Sequence, residues 1–325
     1  MTVLSIQDIY MIHLNGNLKN LILKIRNCVY FLREKSSGYK KEKAKFLKSH
    51  GYSLNLKSPH SFSEKLVWKK IYDRNPLLPL VADKHRVRDF INFVLGEKEA
   101  DKILIPQLYV TDKPEDIPFD DLPEEYIIKA NHGSGTNIIV EKGQTIDREQ
   151  IIKQCKEWLS KPYGYRKHEW AYQKIKRKII VEKLLRDENG NIPKDFKIFV
   201  FHGKSVMIQV DHDRFTEHVR TLYRKDWEFI EASMKFKMGK KIEKPSNLGK
   251  MIELAESIGS SFDFIRVDLY SINNQIYFGE MTNYPGSGME KITPKNFDYE
   301  LGKKWEVSKD YWKKSVYNFK DLLRS

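Results

Sequence analysis

The stretch FIRVDLYSINNQIYFGEMTNYPGSG, from Phe264 to Gly288, constrains the fold more than any other part of the chain. Two β-rich runs flank the turn residues SINNQ, so it predicts a hairpin. Asp268 lies in the first strand. Glu280 lies twelve residues on, at the end of the second. Paired strands bring two such carboxylates close together. Like charges at that range repel, so something must neutralise them. Arg266 lies two residues before Asp268 and points to the same face. It either forms a plain salt bridge or faces an oxyanion that develops in a reaction. The YPGSG turn, with Gly286 and Ser287, offers backbone N–H groups beside them.

The rest of the chain supplies room for such a site. Its 325 residues are 40% hydrophobic and 12% aromatic, which excludes a disordered chain and allows two or three lobes. Cys28 and Cys155 form no disulfide framework or metal spacing, which fits a reducing compartment, the cytosol. The sequence has no apolar run of the roughly 18 residues that spanning a bilayer needs. The first residues lack a cationic leader followed by a long apolar core, so no signal peptide is expected.

The formal charge is +14, and residues 18–48 hold ten Lys/Arg against two acids. Within them Leu18, Leu21, Ile22, Ile25, Val29 and Leu32 recur at helical spacing. This predicts a basic amphipathic helix, whose stripe either packs on the body or rests on a membrane surface. The apolar stripe favours a membrane over nucleic acid as the partner. A second helix is expected from Ser61 or Ser63 to the Pro76 region, and a third from Asp83 to Gly96. Strands follow at ILIPQLYV, YIIKA, NIIVEK, KIIVEKLL and DFKIFVFHGKSVMIQV, with helices near 147–160 and 246–259. Hairpins mixed with helices predict an α+β fold. The expected division is a basic helical region over 1–75, a main domain over 76–305 and a C-terminal helix over 306–325. The main domain divides into a lid at about 125–180 and a C-terminal lobe at about 181–305.

Three stretches can carry chemistry. In YIIKANHGSGTNIIV a strand ending in Lys129 meets a loop of His132, Gly133, Ser134 and Gly135. Such a loop is either a simple hairpin turn or a cover for phosphates, with Lys129 as a point charge. It is not a Walker motif. In KIIVEKLLRDENGNIPKDFKIFVF a strand leads to Glu182, Lys183, Leu184 and Leu185, and another opens with Asp195 and Lys197. The first segment can meet a purine edge and face, and Asp195 can accept from a ribose hydroxyl. A plain hairpin with surface charges is the alternative. The third is the opening hairpin, where oxygen-only ligands with open positions suit Mg²⁺. The nine histidines match no zinc spacing and no GxSxG is present.

In order, these stretches resemble the ATP-grasp superfamily over about residues 80–290. DKHRVRDF is similar to the helix that opens the fold, with Lys84 at a phosphate-contacting position. Lys129 matches the lysine before the phosphate loop. VEKLL resembles the adenine-binding linker, with Glu182 at its first position and Lys183 and Leu185 within it. DFKIFVF resembles the D-x-R segment of amino-acid-adding ligases, with Lys197 in place of Arg. RVD matches at Arg266 and Asp268, and Glu280 matches the second metal carboxylate. The usual Glu-x-Asn ending departs here: Thr282 holds the Asn position and Asn283 follows it, so either could be the third ligand.

A narrower resemblance, from about Ser58 to Gly302, is to the TupA-like ATP-grasp family. EKLVWKKIYDRNPLLPLVADKHRVRDF, KANHGSGTNIIV, VDHDRFTEHVRTLY and FGEMTNYPGSG carry it. That family is associated with teichuronopeptide and other bacterial surface polysaccharides. The resemblance implies an ADP-forming ligase using ATP and Mg²⁺ that joins an amino acid or amine to a uronic acid of a glycan or its precursor. A kinase of a glycan hydroxyl and a non-catalytic binding protein are the alternatives. Arg214 and Arg220 would hold the acceptor carboxylate or belong to surface salt bridges, with Ser287 nearby. Arg266 and Gly286 would face the reacting carbonyl.

Overall fold

A computed structural model describes residues 16–212 and 218–324. Helices dominate the first third: α1 (Gly16–Ser36), α2 (Lys40–His50), α3 (Phe62–Tyr72), α4 (Leu77–Ala82), α5 (Val87–Leu95) and α6 (Glu97–Ile103). Ser61 caps α3 through a full capping box, its hydroxyl accepting from Glu64 N–H while the Glu64 carboxylate returns to Ser61 N–H. The helix expected from Asp83 starts only at Val87. The side chain of Asp83 instead accepts from His85 and Arg86 N–H and closes a turn.

The middle of the chain forms a small lobe. It contains β1 (Gln107–Thr111), β2 (Tyr126–Ala130), β3 (Asn137–Val140), α7 (Arg148–Ser160), α8 (Trp170–Gln173) and β4 (Ile179–Lys183). Its four strands run antiparallel in the order β1-β4-β2-β3. One face packs on α7, where Ile151, Cys155 and Trp158 meet Ile128, Ile179 and Val181.

The large lobe follows with β5 (Asp195–Phe201), β6 (Lys204–His212), β7 (Val219–Arg224), β8 (Phe229–Ile230), β9 (Ser233–Met234), β10 (Lys237–Met238), α9 (Leu248–Gly259), β11 (Phe264–Ile272) and β12 (Gln275–Thr282). Its main sheet has the order β10-β7-β6-β5-β11-β12, with β8 beside β7. The expected hairpin is present. Asn273 and Asn274, both at positive φ, form its two-residue turn. A 3₁₀ turn, Pro285–Gly288, leads to β13 (Ile292–Thr293), which pairs with β9, and to α10 (Lys295–Lys303). The single helix expected over 306–325 does not form. Among the described residues there, α11 (Lys320–Arg324) and a preceding 3₁₀ turn, Val316–Phe319, are the helical parts.

Both faces of the large sheet are covered. Ile198 and Val200 on β5, with Ile265 and Val267 on β11, pack against α4, α5 and α9. Phe199, Phe201 and Phe264 on the other face meet Phe62 and Leu66 of α3, and Trp305.

Three residues of the apolar stripe expected in α1 face outward. Ile25, Val29 and Leu32 are exposed. The contacts come from Tyr30 and Phe31, whose rings meet His168.

Candidate active site

Register places the charged residues in rows across the large sheet. Asp268 on β11 stands opposite Lys197 on β5 and, on its other side, opposite Glu280 on β12. One step along, Arg266 stands opposite Thr282. Directly opposed residues share a face. This face is therefore aromatic core at Phe264 and Phe199 and becomes charged at Arg266, Asp268 and Lys197.

Simple alternation would not bring Glu280 there. Phe278 and Glu280 are two residues apart, yet Phe278 opposes the core residue Leu269 while Glu280 opposes Asp268. Gly279 is the extra residue of a bulge, and it turns Glu280 to the charged face. A Cβ at Gly279 would lie 3.1 Å from the Asp268 carbonyl oxygen. Thr282 shares the face of Glu280. Asn283, the other candidate third ligand, does not: it is fully buried and donates to Leu78 O at 2.9 Å.

Arg266 donates to both Asp268 oxygens, at 2.7 and 2.6 Å, and to Thr282 Oγ1 at 3.0 Å. Its Nη2 is 3.6 Å from Glu280 Oε1. Burial works against the guanidinium charge, but Asp268, then Glu280 and Asp195, outweigh it and raise its pKa. Burial likewise opposes ionisation of Glu280, but Lys84, Arg266, Lys197 and Lys129 hold its carboxyl down at about 2. For Asp268 burial prevails and moves the pKa up, with Arg266 and Lys197 opposing it.

Lysines from both lobes converge on these carboxylates. Lys84 Nζ lies 3.4 Å from Glu280 and donates to Gly133 O at 2.6 Å, which joins the glycine loop to the hairpin. Lys197 Nζ lies 3.5 Å from Asp268 and forms a close ion pair with Asp195. Lys129 pairs with Glu182 at 2.7 Å across β2 and β4.

Lys84, Lys129, Glu182, Asp195, Asp268 and Glu280 line a cleft of about 490 Å³ between the lobes, while Lys197 faces a neighbouring cavity. Ile105, Ile127, Ile139 and Leu185 supply its apolar walls, and the segment from Glu182 to Leu185 runs along it. Gly133, Ser134 and Gly135 cover one end. Gly133 has φ +78°, and a Cβ there would lie 2.6 Å from the Tyr163 ring. The Tyr163 hydroxyl is 3.0 Å from Ser134 Oγ. His132 is buried beneath the loop, where burial, then Arg177 and Lys84, lower its pKa to about 4. It is therefore a neutral packing residue at this position.

A second cavity of about 870 Å³ adjoins the first and shares Gly133, Ser134, His218 and Glu280 with it. Arg266 and Thr282 form part of its floor, and the exposed lysines Lys45, Lys167, Lys235 and Lys291 line it. Sequence reasoning missed these four because they come from separate segments. Arg220 lies on this wall but is buried and already paired. It donates to Asp211 at 2.7 Å and to Glu290 at 2.9 Å. Its geometry is that of a brace rather than an open carboxylate clamp. Arg214 lies outside the described residues. Ser287 borders the cavity, and Lys70 donates to its carbonyl and hydroxyl oxygens at 2.7 and 2.9 Å. In the Pro-Gly turn the N–H of Ser287 is spent on Tyr284 O. Gly286, at φ +54°, leaves no room for a Cβ beside Glu290.

Mg²⁺ takes one or two carboxylates and completes its shell with phosphate oxygens and water. Asp268, Glu280 and the Thr282 hydroxyl form a donor set of that kind. Among the described residues no group of three or more His, Cys, Asp or Glu makes a complete protein cage. The residues therefore fit a metal shared with a phosphate-bearing ligand.

Two lobes closing on a glycine loop, with paired carboxylates on a hairpin below it, define an α+β protein of the ATP-grasp fold. The family model described as TupA-like ATP-grasp matches residues 64–306, and the chain belongs to this family. No curated protein matches it. Among solved structures it is similar to D-alanine–D-alanine ligase from Bacillus anthracis complexed with ATP, at 17% identity and TM-score 0.38, covering 64% of this chain and 55% of that one. The same enzyme in a second structure gives 18% identity and TM-score 0.40, covering 75% and 68%. An ADP complex of N5-carboxyaminoimidazole ribonucleotide synthetase gives 11% identity and TM-score 0.37, covering 63% and 45%. Among the described residues no helix is long and apolar enough to cross a membrane.

Proposed function

We propose that the protein is an ATP-dependent ligase that joins a carboxylate to an amine through an acyl phosphate. An acceptor carboxylate oxygen attacks the γ-phosphorus of ATP, and the bond to the ADP oxygen breaks. The amine nitrogen then attacks the acyl carbon and the C–O bond to phosphate breaks. Inorganic phosphate departs with the proton that the amine gives up.

The observation that carries this reading is the position of Arg266. It is anchored on Asp268 in the nucleotide cleft, yet it forms part of the floor of the second cavity. A fixed cation there would stabilise the oxyanion of a tetrahedral intermediate. ATP would place its base between the Ile105, Ile127 and Leu185 walls and its phosphates under the Gly133–Gly135 loop. Lys84, Lys129 and Lys197 would offset phosphate charge. Bound Mg²⁺, held by Asp268 and Glu280 with Thr282 beside them, would supply further charge neutralisation. The lysine-lined second cavity suits an anionic acceptor. Family membership supports a uronic acid of a surface glycan or its precursor, with an amino acid or amine as the other partner.

A kinase on the same fold would need a free base near a hydroxyl. Asp195 pairs with Lys197 and Asp211 holds Arg220, so a kinase would draw its base from Glu169 or His218, which also line the second cavity.

Phosphorus NMR of the protein with ATP, Mg²⁺, uronic-acid oligosaccharides and an amino-acid pool tests the reading. ADP plus inorganic phosphate, dependent on both partners, is the expected result. ADP with a new phosphate ester and no free phosphate would establish the kinase instead. Failure to bind ATP would remove both.

A further inference from the structure

We propose that the outer face of α1 and α2 docks on a bilayer containing anionic lipid, with the second cavity opening beside the contact. Ile25, Val29 and Leu32 follow at i, i+4 and i+7 and are 53%, 40% and 63% exposed. Leu47 on α2 is 49% exposed. The inward face of α1 is a different one, formed by Tyr30, Phe31 and the buried Glu34. The aliphatic stripe is thus left to solvent, although the helix has a face that packs.

The charge around the stripe is of one sign. Arg26, Arg33 and Lys35 on α1, and Lys40, Lys41 and Lys43 on α2, are all exposed. The two acids between residues 22 and 50 are both buried, Glu34 at 3% and Glu42 at 1% exposure, and Glu42 pairs with Lys70. No carboxylate is exposed among these residues. Basic and aliphatic groups on one helical face match the headgroup and upper acyl layers of a bilayer.

Two adjoining depressions lie on this face. One, of about 500 Å³, is lined by Arg26, Lys41, Lys45 and Arg166 with Asn27 and Tyr30, four cations and no acid. The other, of about 430 Å³, combines Ile25 and Val29 with Arg33, Glu34, Ser37 and Lys40 and shares Arg26, Tyr30 and Lys41 with the first. The cations of both suit a lipid phosphate, and Ile25 and Val29 would meet the acyl boundary. A nucleic acid would use the cations but leave the aliphatic stripe without a counterpart.

Lys45 lines both the basic depression and the second cavity. Docking would therefore set that cavity at the membrane surface, where a lipid-linked acceptor is presented. That last step rests on the ligase reading. The docking itself rests on α1 and α2 alone.

Flotation of the full chain with phosphatidylcholine vesicles, with and without phosphatidylglycerol, tests this at low and high salt. Binding is expected only with the anionic vesicles, and high salt should weaken it. Arg26→Ala or Lys41→Ala should each lower partitioning about fivefold. Leu32→Asp should lower it about tenfold or more on the same vesicles. No binding to anionic vesicles would overturn the proposal. So would Leu32→Asp binding vesicles like the parent while heparin displaces both, the mark of a polyanion site. ATP affinity is read on the same samples. Vesicle binding without ATP binding would keep the docking and remove the ligase, and the reverse result would do the opposite.

Discussion

Arg266 lines the second cavity and is anchored on Asp268 of the nucleotide cleft, and its role can be separated from that of its neighbours. Glu280→Gln removes a carboxylate that Lys84 and Arg266 hold ionised, so it should abolish nucleotide turnover of any kind. Arg266→Ala should act differently. It should lower ligase turnover by about 10²–10³-fold, the usual cost of removing one oxyanion donor. ATP binding, measured by calorimetry, should change much less. Equal loss of ATP affinity in both variants would make Arg266 a partner of Asp268 and nothing more. Gly133 gives a second test. Its φ of +78° already disfavours a side chain, and the Tyr163 ring occupies the Cβ position. Gly133→Ala should displace the loop and weaken ATP binding. Gly133→Ala with Tyr163→Ala should recover part of the loss, because the steric component disappears and the backbone strain remains.

At the scale of elements, much of the site was legible because it depends on short-range pattern. Alternating residues around an Asn-Asn turn announce a hairpin, and Arg266 and Asp268 need only the strand period to share a face, whereas Lys197 joins them through the register of β5 on β11. Glu280 was found by its distance from Asp268, but the sequence pattern alone does not reveal how it gets there. The bulge at Gly279 breaks the period, and a lone glycine in a strand is a weak sign of one. Thr282 and Asn283 could not be told apart until that register was known. Arg220 read either as a clamp for the acceptor carboxylate or as part of a salt bridge, and the second holds: it pairs with Asp211, nine residues before it, and with Glu290, seventy residues after it, which the sequence does not show. The charges that hold elements together were equally hidden. Nothing in the sequence singles out Lys69 on α3, yet it is fully buried. It donates to Asp73 at 2.6 Å and to Asp263, just before β11, at 2.5 Å. Burial opposes its charge, but Asp263 and Asp73 outweigh this and raise the pKa. Trp305 donates to the second oxygen of Asp263 at 3.0 Å. Lys69→Ala would leave two buried carboxylates facing each other. Chemical denaturation should show a loss of about 3–5 kcal/mol. A loss below about 1 kcal/mol would mean that water enters and solvates them.

Across the whole molecule, burial of histidines should set a pH limit on stability. His168 packs among Tyr30, Phe31 and Tyr39, with Glu34 and Glu42 near it, and Lys70 and Lys45 on the same side. Burial lowers its pKa from 6.5 to about 4, and the lysines act in the same sense while Glu42 opposes them. His132 is lowered to about 4 as well. A histidine whose folded pKa is depressed takes up its proton first in the unfolded chain. Stability from both is therefore complete above pH 6.5 and is lost as pH falls from there toward 4. At about 1.4 kcal/mol per pKa unit, the loss from either site is at most about 3.5 kcal/mol. Asp83, Asp298 and Glu169 work the other way, because burial raises their pKa and they bind protons more readily when folded. Their effect blunts the total curve at its acid end, so the difference between two proteins is the clean measure. His168→Asn suits this, since His168 has φ +60° and asparagine tolerates that conformation. Denaturation midpoints from pH 7.5 down to pH 4 should fall less steeply in the variant than in the parent. Parallel curves would mean that His168 is protonated alike in folded and unfolded chains.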